Sequence, residues 1–145
     1  MGSRVFHLAR ADHNLKVAEH LAEHEEYADW ALVALFYAAH QWVHSALSGE
    51  PELVKDERHP RKHTGGPGAA QGGRGTNQLV AALYPRDINE AYRSLHDLSR
   101  RTRYDMNRLA PDAAAYRLAK LQFATVRQFC EHLNAGRPDI ATQRP

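Results

Sequence analysis

The chain has a single cysteine, Cys130, so no disulfide can form within it, and this economy of thiols points to a reducing compartment. It has no clean apolar run either. The most apolar stretch, Ala28 to Leu47, is interrupted by Asp29, His40, Gln41 and His44, all costly in lipid, so no membrane span is expected. The opening residues Met1-Gly2-Ser3-Arg4 lead into polar sequence without an apolar signal region, and the expected location is cytoplasmic. No alternating run of β-branched residues is long enough for a strand, which argues against a sheet. No Gly-Lys-Ser/Thr follows the glycine-rich stretch and no His-Glu-x-x-His occurs, which argues against a phosphate-loop nucleotide hydrolase and a zinc peptidase. Charge of one sign is also missing. With 19 Lys+Arg against 17 Asp+Glu the balance is only +2, so any nucleic-acid contact must come from local clustering.

What the 145 residues do carry is helical periodicity, enough for one domain with a real core. A first helix is expected from about Ala11 to Glu25, with Leu15, Ala18, Leu21 and Ala22 as its stripe. A second, from about Tyr27 to Leu47, is apolar around most of its circumference and must be central; Gly49 and Pro51 end it. A short helix over Asn77 to Tyr84, with Thr76 as cap, is stopped by Pro85. Asp87 is placed to cap the next, which runs to Tyr104 with Ile88, Ala91, Tyr92, Leu95 and Leu98 inward. The last starts near Pro111-Asp112, runs to about Asn134, and has Leu118, Ala119, Gln122, Val126, Phe129, Cys130 and Leu133 inward. The expectation is an all-α fold, an antiparallel bundle of four or five helices. One domain spans 1–136, with a mobile glycine-rich loop over 64–76 and a loose tail over 137–145.

Ten histidines make acid–base chemistry and metal binding both worth weighing, although His7, His13, His20 and His132 are expected to face solvent. The densest chemistry is Glu57-Arg58-His59-Pro60-Arg61-Lys62-His63-Thr64, where four residues separate Arg58 from His63. An arginine holds a phosphodiester by a two-pronged charged contact, and a histidine moves a proton near neutral pH. The bland account of such a stretch is a solvated basic loop. Tyr37, His40 and His44 lie along one face of the second helix and are expected to line the same pocket as His63. Arg74 is placed to swing onto a phosphate, and Arg100, Arg101, Arg103 and Arg108 form a further basic cluster. Tyr104 would stack on a base or fill the core, with core favoured. His96 and Asp97 are neighbours in sequence but do not face each other on a helix.

The order of features, Phe36-Tyr37-Ala38-Ala39-His40, then His59-Pro60 and His63, then Tyr92-Arg93-Ser94-Leu95-His96-Asp97-Leu98-Ser99 ending in Arg103-Tyr104, resembles the HEPN superfamily over roughly Ala28 to Tyr104. These are small helical-bundle proteins of bacterial toxin–antitoxin and defence systems. The resemblance implies an Arg–His pair separated by four to six residues in the members that cleave RNA, and dimers that bring two such motifs together. Arg58 and His63 match that spacing, with His59 as a second imidazole. It further implies RNA as partner, held by Arg61, Lys62, Arg74, Arg103 and Tyr104, a homodimer, and a cognate antitoxin or defence partner. No cofactor and no metal are called for. His63 or His59 would accept the ribose 2′-hydroxyl proton, a second imidazole would protonate the leaving 5′-oxygen, and Arg58 would hold the growing phosphate charge, leaving a 2′,3′-cyclic phosphate.

Two rivals stand beside this reading. One is a non-catalytic module that grips RNA, nucleotide phosphates or a partner protein. The other is a metal-binding bundle built on His40 and His44, which stand i, i+4 on one helix face.

Overall fold

A computed structural model of the chain describes residues 3–51, 53, 74–105 and 111–138. Among them are five α-helices and no strand: α1 (Arg4–Ala22), α2 (Ala28–Leu47), α3 (Thr76–Leu83), α4 (Arg86–Tyr104) and α5 (Ala113–Gly136), with a 3-10 turn at Glu25–Tyr27. The all-α bundle expected from the periodicity is what the chain forms.

The central helix is α2. Leu32, Leu35, Phe36, Ala38, Ala39, Val43 and Leu47 are shut away from solvent entirely. Each leucine or phenylalanine so enclosed contributes on the order of 1.5–3 kcal/mol. The other helices surround it, and hydrogen bonds fix their directions. Arg4 at the start of α1 reaches the carbonyl of Ser45 near the end of α2, so the two are antiparallel. Asn134 of α5 donates to Ser45 Oγ at 2.9 Å, while Arg127 lies over the Trp42 ring, so α5 runs alongside α2 in the same direction. Helix α4 returns antiparallel to both: Phe36 meets His96, His40 meets Tyr92, and Ser94 Oγ accepts from Gln122 Nε2.

Local chemistry sets the ends. Ser3 Oγ accepts from Phe6 N and starts α1 well before Ala11; the early turn was missed because Val5 and Phe6 lie exposed and add nothing to an apolar stripe. Helix α3 begins at Thr76 itself, with Gly75 as its cap and Gln78 Oε1 accepting from Gly75 N, so Thr76 does not serve as the cap. Pro85 caps α4, and Asp87 instead supplies a negative charge to its first turn. Asp112 caps α5 by accepting from Ala115 N at 2.9 Å. Leu118 does not face inward; it is 59% exposed, because α5 turns Tyr116 and Ala119 to the core at this level and leaves Leu118 on its outer side. Trp30 is also largely exposed, whereas Phe36 and Phe123 are core.

Three helix ends are tied by Arg4, whose Nη1 donates to the carbonyls of Asn134 at 3.2 Å and Arg137 at 2.6 Å while Nε donates to Ser45. Arg137 in turn pairs with the nearly buried Glu50 carboxylate at 2.7 Å. Gly49 sits under this knot, where a Cβ would stand 2.5 Å from the Arg4 guanidinium and 2.9 Å from the Pro138 carbonyl oxygen. No helix among the described residues is long and apolar enough to cross a membrane.

Candidate functional site

Helix α2 carries Tyr37, His40, Gln41 and His44 at helical spacing, and among the described residues these polar groups form a seam toward α1, α3 and α4. His40 and His44 are only 2% and 1% exposed, with ring centroids 4.6 Å apart. Nδ1 of His40 and the Tyr92 hydroxyl share a hydrogen bond of 3.1 Å, and Nε2 of His44 and Thr76 Oγ1 share one of 3.0 Å. The phenol of Tyr92 is pushed far above its ordinary value by burial, so it stays neutral as a hydrogen-bonding partner.

A second branch runs through α4. Asn77 Nδ2 donates to Nδ1 of His96 at 3.0 Å, which puts the His96 proton on Nε2, and the His96 ring packs on Phe36 with centroids 5.1 Å apart. Asn77 Oδ1 and Ser99 Oγ are buried with no hydrogen-bond partner among the described residues. On the α1 side, His7 donates from Nδ1 to Gln41 Oε1 at 2.7 Å and its ring lies 5.6 Å from that of His44. His7 therefore does not face solvent. It is 1% exposed, whereas His13, His20 and His132 are exposed as expected.

At the other end of the seam Arg103 donates from Nη1 to the Tyr37 hydroxyl at 2.8 Å and from Nε to the Ser99 carbonyl at 3.3 Å. Its guanidinium lies 5.5 Å from the Tyr37 ring centroid and 5.0 Å from that of Tyr104. Tyr104 is 71% exposed, so it is not a core residue; α4 ends there with nothing packed over it among the described residues. Arg103, Tyr37 and Tyr104 thus form a cation–aromatic platform on the surface.

Of the residues singled out by sequence, the structure brings together Tyr37, His40, His44, Arg103 and Tyr104. Arg58, His59, Arg61, Lys62 and His63 lie outside the described residues, as does most of the glycine-rich stretch. Arg74 is half-buried, directly before the Gly75 that starts α3. Of the residues flanking Arg58 and His63 in sequence, Leu53 is buried, and Arg74 stands two residues before the Thr76 bonded to His44.

Sequence reasoning missed His7, Gln41, Asn77, His96 and Tyr92 as members of the seam. A signal existed on α4, where Tyr92, His96, Ser99 and Arg103 follow at spacings of four, three and four and so share one face. His96 and Asp97 do point apart: Asn77 engages the histidine and the aspartate is exposed.

Chemically, His40 and His44 are two buried imidazoles in ring contact, each hydrogen-bonded to a hydroxyl. They can orient groups or pass a proton between partners. Among the described residues no group of three or more His, Cys, Asp or Glu is placed to hold a metal ion. Compared with known proteins, the chain matches no family model, no curated protein and no solved structure.

Proposed function

We propose that this chain is a HEPN-like, RNA-acting protein and a metal-independent endoribonuclease, with Arg58 and His63 as its reacting pair and His59 as a second imidazole. The observation that supports the reading is how the described residues on either side of that pair in sequence are held. The segment bearing them is bounded by buried Leu53 on one side and by Thr76 on the other, and Thr76 is bonded to the imidazole seam of α2. A buried polar seam bonded to the residue that closes such a segment is a base from which an acid–base pair can be held against a flexible strand. The platform of Arg103 and Tyr104 offers a phosphate contact and a stacking face for a single-stranded base.

In this mechanism His63 accepts the 2′-hydroxyl proton, the 2′-oxygen attacks the adjacent phosphorus, and the P–O5′ bond breaks as a second imidazole protonates the departing oxygen. Arg58 neutralises the charge that develops on the phosphoryl oxygens, with Arg61 or Arg103 in support. The buried His40, His44 and His96 are positioning residues here. Toxin–antitoxin or defence biology, with a cognate antitoxin or defence protein as partner, is the setting that the HEPN likeness supports.

A second reading, an RNA-holding module without chemistry, is favoured by one specific observation. The imidazoles of the seam are enclosed, whereas the exposed groups of the platform bind rather than react. The deciding experiment incubates purified protein with labelled RNA and matched DNA, with and without a chelator, beside Arg58→Ala and His63→Ala. Chelator-resistant cleavage of RNA alone, ending in cyclic phosphate and lost in both variants, is expected. Intact RNA in every lane, with the protein folded, would leave the holding module in its place.

A further inference from the structure

Trp30 stands 53% exposed in the first turn of α2, where water leaves much of a large apolar ring uncovered. It comes seven residues before Tyr37. On a helix that interval returns to within about 20° of the same direction and spans about 10.5 Å along the axis. The direction is a defined one: His40 looks to Tyr92 of α4, Gln41 looks to His7 of α1, and Tyr37 and Trp30 fall between the two. Trp30 therefore continues the line on which Tyr37 carries the Arg103 guanidinium.

Helix α4 supplies positive charge along this line. Phe36 meets His96, and one turn further along α2 His40 meets Tyr92, one turn back along α4. The same register carried toward the start of α2 sets Leu32 level with Arg100 and Ala28 level with Tyr104. Trp30 lies between those two levels, so Arg100, Arg103 and Tyr104 border it on the α4 side, with Arg100 and Tyr104 exposed. Before Trp30 the sign of the charge reverses. Glu25 and Glu26 are exposed in the turn that precedes α2, and Asp29 accepts from Trp30 N at 2.8 Å. Aromatic faces in line, cations along one border and carboxylates at the far end suit a polyanion whose flat groups lie on the rings and whose charges keep to the arginine side. A duplex hides its flat groups in its own stack. An unpaired strand offers them.

We propose that Trp30 is a stacking residue for an unpaired RNA strand, which passes from Tyr104 by Tyr37 to Trp30, keeps its phosphates toward Arg100 and Arg103, and ends its contact at Glu25, Glu26 and Asp29. At roughly 3.4 Å per stacked base the line from Tyr37 to Trp30 holds about three bases. The proposal rests on the reading that the chain binds RNA, not on its cleaving RNA. It names the substrate class: single-stranded, with little choice of sequence, since every base has a face to stack.

The chain has two tryptophans, Trp30 and Trp42, so Trp42→Phe makes Trp30 the sole indole reporter. The full chain with that change is titrated with a short 2′-O-methyl oligouridine, which has no free 2′-hydroxyl to attack its phosphates, and with the same strand paired to its complement. Fluorescence reads Trp30, and anisotropy of an end-labelled strand reads binding independently. Trp30 emission is expected to fall as the single strand binds, with the same midpoint by both readouts, and to stay unchanged with the duplex. In the otherwise unchanged chain, Trp30→Ala is expected to raise the dissociation constant about five- to a hundredfold without altering the slope of log K against log salt, and Trp30→Phe to recover most of the loss. Circular dichroism of each variant checks the fold. Binding by anisotropy with unchanged Trp30 emission, or a Trp30→Ala protein that binds like wild type, overturns the stacking role and leaves the RNA reading standing. A duplex that lowers the emission equally overturns the single-strand assignment. Binding of neither probe overturns the proposal and the RNA reading together.

Discussion

The Tyr92 hydroxyl lies 3.1 Å from Nδ1 of His40, a contact between residues 52 apart in sequence that joins α4 to α2 inside the core. Burial keeps the phenol protonated, and the same burial makes any imidazole nitrogen stripped of its partner expensive. Tyr92→Phe keeps the ring in place against Phe36 and removes only the hydroxyl, so the expected loss is about 1–3 kcal/mol, read as a lower urea midpoint with an unchanged slope. An unchanged midpoint would mean that the hydroxyl contributes nothing to the seam.

The knot at Arg4 makes a second prediction. Its guanidinium donates to carbonyls of Ser45, Asn134 and Arg137, a fan that the single ammonium of lysine does not reproduce. Arg4→Lys is therefore expected to destabilise by about 1–3 kcal/mol, as Arg4→Ala does. Gly49→Ala should act in the same direction, because its methyl would press on the Arg4 guanidinium and on the rigid Pro138 carbonyl. Thermal melts of the three variants check this; a Gly49→Ala protein as stable as wild type would show that the ends of α1, α2 and α5 are only loosely joined.

The fold was legible where local pattern decides it. The apolar circumference of α2, the stop at Pro85 and the cap at Asp112 each follow from a few neighbouring residues, and α2, α3, α4 and α5 formed nearly where expected. What was not legible is the pairing between distant polar groups. His7 looked like a surface residue because α1 has exposed Val5, Phe6 and Val17 and a diffuse stripe; its burial depends on Gln41, 34 residues on. Tyr92 read correctly as inward, but nothing in its neighbourhood announced that its hydroxyl would meet His40. Tyr104 read as core because aromatics usually are, and only the end of α4 leaves it bare. Arg58 and His63 stood out by spacing alone, and they lie outside the described residues.

Alkaline pH should weaken the fold in a defined window. Burial pushes up the Cys130 thiol, with the Glu131 charge adding to it, and burial likewise raises the phenols of Tyr84 and Tyr92. The folded state thus holds these protons more tightly than the unfolded state does. Their contribution is complete below the unfolded values, about 8.5 for the thiol and about 10 for the phenols, and declines as pH rises beyond them. The melting temperature is expected to be insensitive to these groups up to about pH 8 and to fall above it. Cys130 should also resist a maleimide in the folded protein and react at the rate of unfolding. Rapid labelling of native protein would contradict its enclosure.

Tyr104 and Arg103 separate binding from folding. The Tyr104 hydroxyl has no hydrogen-bond partner among the described residues and the side chain is largely exposed, so Tyr104→Ala should change stability by no more than about 0.5 kcal/mol. If a base stacks on its ring, the same change weakens single-stranded RNA binding by about 1–3 kcal/mol and leaves the salt dependence alone. Arg103→Ala differs on both counts. It removes the bond to the Tyr37 hydroxyl, which lowers stability by about 1 kcal/mol, and it removes one cation, which reduces the slope of log K against log salt by about 0.7. The two variants therefore have distinct signatures in one titration series at several salt concentrations. RNA bound equally well by Tyr104→Ala and wild type would take the platform out of the RNA path. Any RNA contact would then have to rest on the basic segment between Leu53 and Arg74.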